Sequence, residues 1–262
     1  MKTRPSIPAW RSAVTMFTVV PVAGPADIRR DDAGRIVLWL PVLGGVLGAA
    51  AAGALLAVEV GGDSIARRLL AATVAFGVLG ILTGGMHLDG LADTVDGLGS
   101  RRPRQEALDI MRRSDTGPMG VAALLFVVLV QVAALAVLPS RWLGAAAMIL
   151  AVVTSRVAVL LAADAPAARP QGFGALIAGA ATRRAKVSVA AVLAATVTVA
   201  GAAAGGPLLA LRGLAAVAVA LALAASVRRV AVRRLGGMTG DVFGAMIELS
   251  TAAVLLVLAV LS

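Results

Sequence analysis

Residues 117–138 read GPMGVAALLFVVLVQVAALAVL, a run without a single charged side chain. About 20 apolar residues suffice to cross the hydrocarbon core of a bilayer as a helix, and this stretch has that length. It is rich in Ala, Leu and Val and lacks the period-2 alternation of a barrel strand, so it reads as a membrane-spanning helix. Comparable runs recur at about 36–60, 66–86, 142–163, 186–205, 207–227 and 242–261. The whole chain of 262 residues is 60% hydrophobic and 15% charged, with a mean hydropathy of +0.94. That leaves too little polar surface to cover a soluble domain. The fold expected is all-α: a polytopic integral membrane protein of about seven transmembrane helices, with six to eight as the range, forming one membrane-embedded domain over residues 1–262.

Residues 1–35 are basic and interrupted by Pro5, Pro8, Pro21 and Pro25. Their apolar part, Ser12–Val22, is too short to span comfortably and is expected to be interfacial or re-entrant. With Lys2, Arg4 and Arg11 ahead of it, this segment faintly imitates a signal peptide. Without a good cleavage site it is read as retained. Counted between successive spans, Lys and Arg run six, two, five, one, four, one and four, with Arg156 left inside a span. Such alternation places the N-terminus and the segments 87–116, 164–186 and 228–241 in the cytoplasm, with the C-terminus on the other side. The net charge of +10 is therefore a matter of topology and lipid headgroups, not of nucleic acid. The absence of cysteine excludes disulfides, thiol nucleophiles and zinc–thiolate sites.

The stretch GGMHLDGLADTVDG, Gly84–Gly97, holds the only histidine, His87, and three of the fourteen acids, Asp89, Asp93 and Asp96. On a helix Asp93 stands about 40° and Asp96 about −20° from Asp89, so all three share one face. Like charges so close destabilise a helix unless a cation or a proton neutralises them. Oxygen-only ligands favour Mg²⁺ or Mn²⁺ over zinc. A second segment, Met111–Gly120, carries Arg112, Arg113 and Ser114 before a Pro-started helix, a combination suited to phosphate oxygens. A third, Gly236–Glu248, contains Thr239, Gly240 and Asp241, with Glu248 on the same helix face seven residues on. Glu248 lies at a depth where an ionisable group is expensive. Arg156 has a similar depth in its own span, and the two are expected to pair. Carboxylates, arginines and a divalent cation together point to phosphoryl transfer. No P-loop or dinucleotide fingerprint is present.

GGMHLDGLADTVDG at 84–97, MRRSDTGPMG at 111–120, Ser155-Arg156 and GGMTGDVFGAMIEL at 236–249 together resemble the cobalamin synthase family, the adenosylcobinamide-GDP ribazoletransferases. The likeness extends to Met16–Val22, to Pro41 with Gly44, and to Gly172-Phe-Gly174. It implies a Mg²⁺-dependent enzyme of the inner membrane with its active face in the cytoplasm. Such an enzyme joins α-ribazole, or α-ribazole 5′-phosphate, to adenosylcobinamide-GDP and releases GMP. Transferred residue by residue, the resemblance implies catalytic roles for Asp89, Asp93, His87 and Arg112. It implies substrate contacts for Arg113, Ser114, Arg156, Thr239 and Gly240, and metal ligands in Asp89, Asp93, Asp96, Asp241 and Glu248. A contact with substrate is expected of His87 before a bond to metal.

This chain also departs from the family pattern. Val19 stands where an arginine is common, Arg112-Arg113-Ser114-Asp115 exchanges acid and base, and Gln171 replaces an acid. Two alternatives accompany the reading: another Mg²⁺-dependent membrane alcohol phosphotransferase, and an ion-coupled transporter using Asp89, Glu248 and Arg156. With five Phe, three Trp and no Tyr, stacking surfaces are few, so a corrin ring would rest on aliphatic helix faces or on the bilayer. The sequence permits a homo-oligomer without requiring one.

Overall fold

The structure is a computed structural model that describes residues 8–24, 30–62 and 64–262. Lys2, Arg4, Pro5, Pro25 and Arg29, used above in the charge count and the reading of the N-terminus, lie outside the described residues. The described chain is all-α. Helix α1 (Ala9–Phe17) precedes α2 (Arg30–Glu59), α3 (Ile65–Thr83), α4 (Met86–Gly99), α5 (Arg104–Ile110), α6 (Pro118–Ala136), α7 (Arg141–Ala162), α8 (Phe173–Ile177), α9 (Arg183–Leu235) and α10 (Gly240–Leu261). Six of these helices, α2, α3, α6, α7, α9 and α10, are long and apolar enough to cross a membrane.

Helix α9 counts twice. Its 53 residues would reach about 80 Å if straight, against a hydrocarbon core of about 30 Å. Gly205 and Gly206 leave helical geometry, Gly206 at φ 77°, and Pro207 follows. The two arms then fold back on each other. A Cβ on Gly201 would meet the Ala210 backbone and one on Gly213 would meet Val197. Leu193, Val197 and Val217 share one buried cluster. Positions 197 and 213 can touch only if the arms are antiparallel. With α9 counted as two arms, the six long apolar helices offer seven candidate spans, within the range of six to eight expected.

Helix α7 is the central post, packed along α2 and α10. Its seam with α2 depends on small residues: a Cβ on Gly48 would lie 2.9 Å from the Ile149 Cα, and one on Gly44 3.0 Å from the Val152 carbonyl oxygen. In a bilayer such close approach takes the place of hydrophobic burial as the source of association. Helix α1 is too short to span. It buries Ser12, Ala13 and Phe17 against neighbouring elements, and the extended residues after it hydrogen-bond α3 through Val19 N–H to the Leu82 carbonyl at 2.9 Å.

The site-bearing helix begins at a sharp turn. Gly84 and Gly85 have φ of 61° and 71°, backbone that glycine adopts without strain. This pair ends α3 and starts α4 within two residues. With 14 residues, α4 is too short to cross a membrane and lies at the helix ends where α6 and α10 begin. If α9 is a hairpin, the double variant Val197→Cys/Gly213→Cys in this cysteine-free chain forms an intramolecular disulfide on mild oxidation. A straight α9 would hold these positions about 24 Å apart and leave both thiols free to alkylation.

Candidate active site

Helix α4 meets the first turns of α10 backbone to backbone. A Cβ on Gly90 would lie 2.8 Å from the Asp241 carbonyl oxygen, and one on Gly244 3.1 Å from that of His87. This contact sets Asp89 and Asp93 of α4 beside Asp241 of α10. Asp241 is fixed from two sides. The Thr239 hydroxyl donates to its Oδ2 at 3.1 Å and accepts from Val242 N–H at 3.2 Å, capping α10. Arg169 Nη1 donates to the same oxygen at 3.4 Å while Nη2 holds the Leu108 carbonyl at 2.8 Å.

Arg169 arrives from a distant loop through backbone pairing. Met238 N–H donates to the Pro166 carbonyl at 2.8 Å, and Ala168 N–H to the Met238 carbonyl at 3.0 Å. Arg104 Nη2 ties the same loop through the Ala168 carbonyl at 3.0 Å. Gly237 and Gly174 let these strands of chain approach, since a Cβ at either would collide with backbone.

The electrostatic result is a surplus of negative charge. The Asp93 carboxyl is pushed from near 3.8 to about 6, first by burial and then by Asp89, Asp241 and Asp96, with Arg169 opposing. Arg169 is itself lowered, mainly by burial, and it is the cation paired with Asp241. The donors facing this surplus are hard carboxylate oxygens, which suits Mg²⁺ or Mn²⁺. Among the described residues no three acidic or histidine side chains already converge as the ligands of a bound ion do. The fit to a cation therefore rests on charge and donor chemistry.

Several expected site residues fall elsewhere. Asp96 turns to α6 and accepts from Gly117 N–H at 2.7 Å and Gly120 N–H at 2.8 Å. It satisfies the free N–H groups at that helix start, a use that the face angle did not indicate. Thr239 is buried, with its hydroxyl held between Asp241 and Val242 N–H. Gly240 is exposed at the start of α10. Arg112, Arg113 and Ser114 are exposed on the loop before α6, and among the described residues their side chains form no hydrogen bond or ion pair. Arg112 is near enough to act on Arg169 electrostatically.

The expected Arg156–Glu248 pair does not close. Arg156 Nη1 donates to Ser155 at 2.9 Å, whereas Glu248 Oε2 accepts from Gln131 at 2.9 Å. Both line a chamber that also receives His87. Glu248 thus stands apart from the aspartate cluster, because seven residues carry it two helical turns down α10. His87 is buried and held neutral, first by burial and then by Arg156. Arg169 and Gln131 are not among the site residues expected from the sequence. A lone glutamine inside an uncharged span is a signal that could have been used. Arg169 had none, since only tertiary backbone pairing places it.

The family model for cobalamin-5-phosphate synthase matches residues 9–259. The chain is 44% identical to the adenosylcobinamide-GDP ribazoletransferase of Frankia casuarinae, covering 95% of this chain and 93% of that protein. It is 38% identical to the protein of the same name from a Nocardioides species, over 95% and 96% of the two chains. The correspondingly named protein of Citrobacter koseri is 36% identical over 91% and 93%. No solved structure matches.

Asp93 makes a pH-dependent prediction. Because its folded pKa of about 6 exceeds the ordinary 3.8, its contribution to stability is full below about pH 4 and is lost as pH rises through 6. In chelator-treated protein, Asp93→Asn therefore melts higher than wild type at pH 7.5. Thermal melts across pH should show that gap narrowing toward pH 4; a gap independent of pH would contradict the charge surplus.

Proposed function

The chain belongs to the cobalamin-5-phosphate synthase family, and we propose that it transfers α-ribazole or α-ribazole 5′-phosphate onto adenosylcobinamide-GDP with release of GMP, assisted by Mg²⁺. Family membership makes it a transferase, and the ion-coupled transporter alternative falls away. The observation that carries the finer reading is the placement of Asp89, Asp93 and Asp241 together with Arg169, at the helix ends where the chain's arginines gather.

The ribazole hydroxyl attacks the phosphorus that bears the aminopropanol arm. A new P–O bond forms, the bond to the bridging pyrophosphate oxygen breaks, and GMP departs with that oxygen. The hydroxyl proton passes to a carboxylate of the cluster. A bound divalent ion, held by Asp89, Asp93 and Asp241, would supply charge neutralisation for the pyrophosphate. Arg169 holds Asp241 in place and adds positive charge where the leaving phosphate accumulates negative charge. Arg112 and Arg113, exposed on the neighbouring loop, are free to meet phosphate oxygens of an arriving nucleotide. Direct in-line transfer needs no covalent nucleophile from the chain.

The alternation of Lys and Arg supports a cytoplasmic active face in a bacterial inner membrane, with the N-terminus inside. There the site meets soluble nucleotides while the lipid bilayer carries the apolar helix faces. The test is chromatographic detection of GMP and of the cobamide product from adenosylcobinamide-GDP, α-ribazole and Mg²⁺, with the 5′-phosphate in a parallel arm. Well-folded protein that yields neither product in either arm would overturn the reading. Asp93→Asn and Asp241→Asn should each slow GMP release by about 10²-fold or more, on the scale of losing one electrostatic element of a transition-state site. Near-normal rates in both would remove the aspartates from the chemistry.

A further inference from the structure

Two turns along α10 from Asp241, a chamber of about 260 Å³ opens between α3, α4, α6, α7 and α10. His87 and Arg156 reach into it, each only 5% exposed, and the His87 Nε2 has no partner. Arg156 spends one guanidinium nitrogen on Ser155, and Glu248 takes Gln131 on one oxygen. What remains of each group is left to the chamber. Buried polar groups are costly unless they are bonded, so this set calls for a ligand. The other walls are largely apolar, with Phe76, Leu79 and Val132 among them. Gly80 leaves a gap, since a Cβ there would meet nothing within 4 Å.

The chemistry of the lining narrows the ligand. One guanidinium and one carboxylate cancel, so a phosphate gains little from entering. Apolar walls with a donor group and an acceptor group at one edge fit a neutral planar heteroaromatic ring that carries a carbonyl beside N–H groups. Guanine is such a ring. A carboxylate accepts from its ring N–H and exocyclic amine, and a guanidinium donates to O6 and N7 as arginine does in DNA. The depth suits a nucleotide as well, because Glu248 lies seven residues beyond Asp241, about 10 Å along α10. A phosphate among the α4 aspartates would thus drop its base into the chamber. We propose that this chamber is the guanine pocket, with Glu248 and Arg156 reading the base edge and Phe76 against the ring. The proposal rests on the guanosine-releasing reaction inferred above.

The test measures binding of GMP, IMP and AMP to the purified full chain with Mg²⁺ present. IMP lacks the exocyclic amine and should bind about tenfold or more weaker than GMP, the cost of one hydrogen bond to a charged group; AMP should bind weaker still. Gly80→Leu places its side chain into open space on a helix, so it folds, fills the chamber and loses GMP binding. Glu248→Gln abolishes the preference for GMP over IMP. Equal affinity for the three nucleotides, or undiminished GMP binding in Gly80→Leu, overturns the pocket. Turnover without any nucleotide preference would discard the pocket and keep the reaction. Selective GMP binding without turnover would keep the pocket and discard the reaction.

Discussion

Helices α4 and α10 meet at a separation that only glycine permits, with Gly90 against the Asp241 backbone and Gly244 against that of His87. The rest of the site depends on that contact. It sets Asp89 and Asp93 across from Asp241, and it aims His87 past the crossing into the membrane interior. The turn at Gly84–Gly85 makes the contact reachable, because α4 must leave the end of α3 at once to lie across the starts of α6 and α10. A side chain at Gly90 or Gly244 would separate the carboxylates before it disturbed any span.

The arrangement carries a cost in stability. Acids gathered in a half-buried place repel, as the raised Asp93 carboxyl records, and among the described residues Arg169 opposes them directly through Asp241. Proteins tolerate such strain where function needs it. The surrounding chain supplies the restraint. Asp96 anchors α6, Thr239 caps α10, and paired loop backbones hold Arg169. Away from the site, the link between Asp164, Lys186 and Arg228 fastens the loop after α7 to both arms of the α9 hairpin.

Much of this was legible in the amino-acid order. Uncharged runs of bilayer length are decisive because water and lipid sort them so strongly. The boundary expected between the spans 186–205 and 207–227 falls at the Gly205–Pro207 break that bends α9. The acidic face of α4 followed from helical period alone. Partnership was harder to read. Arg156 and Glu248 share a depth and opposite charge, yet each found a nearer polar neighbour, Ser155 and Gln131. Asp96 shares a face angle with Asp89, but the free N–H groups at the start of α6 claim it. Arg169 is separated from Asp241 by 72 positions, and no local pattern reports which loop will pair with which.

The proposed chemistry requires acids from α4 and α10 to hold one divalent cation between them. An experimental structure of the protein with Mn²⁺ and GMP, using the anomalous signal of manganese, addresses it most directly. The expected result is a manganese peak bonded to carboxylate oxygens from both helices, Asp89 or Asp93 on one side and Asp241 on the other. A peak bonded to acids of one helix alone, or found at Glu248 in the chamber, would contradict it.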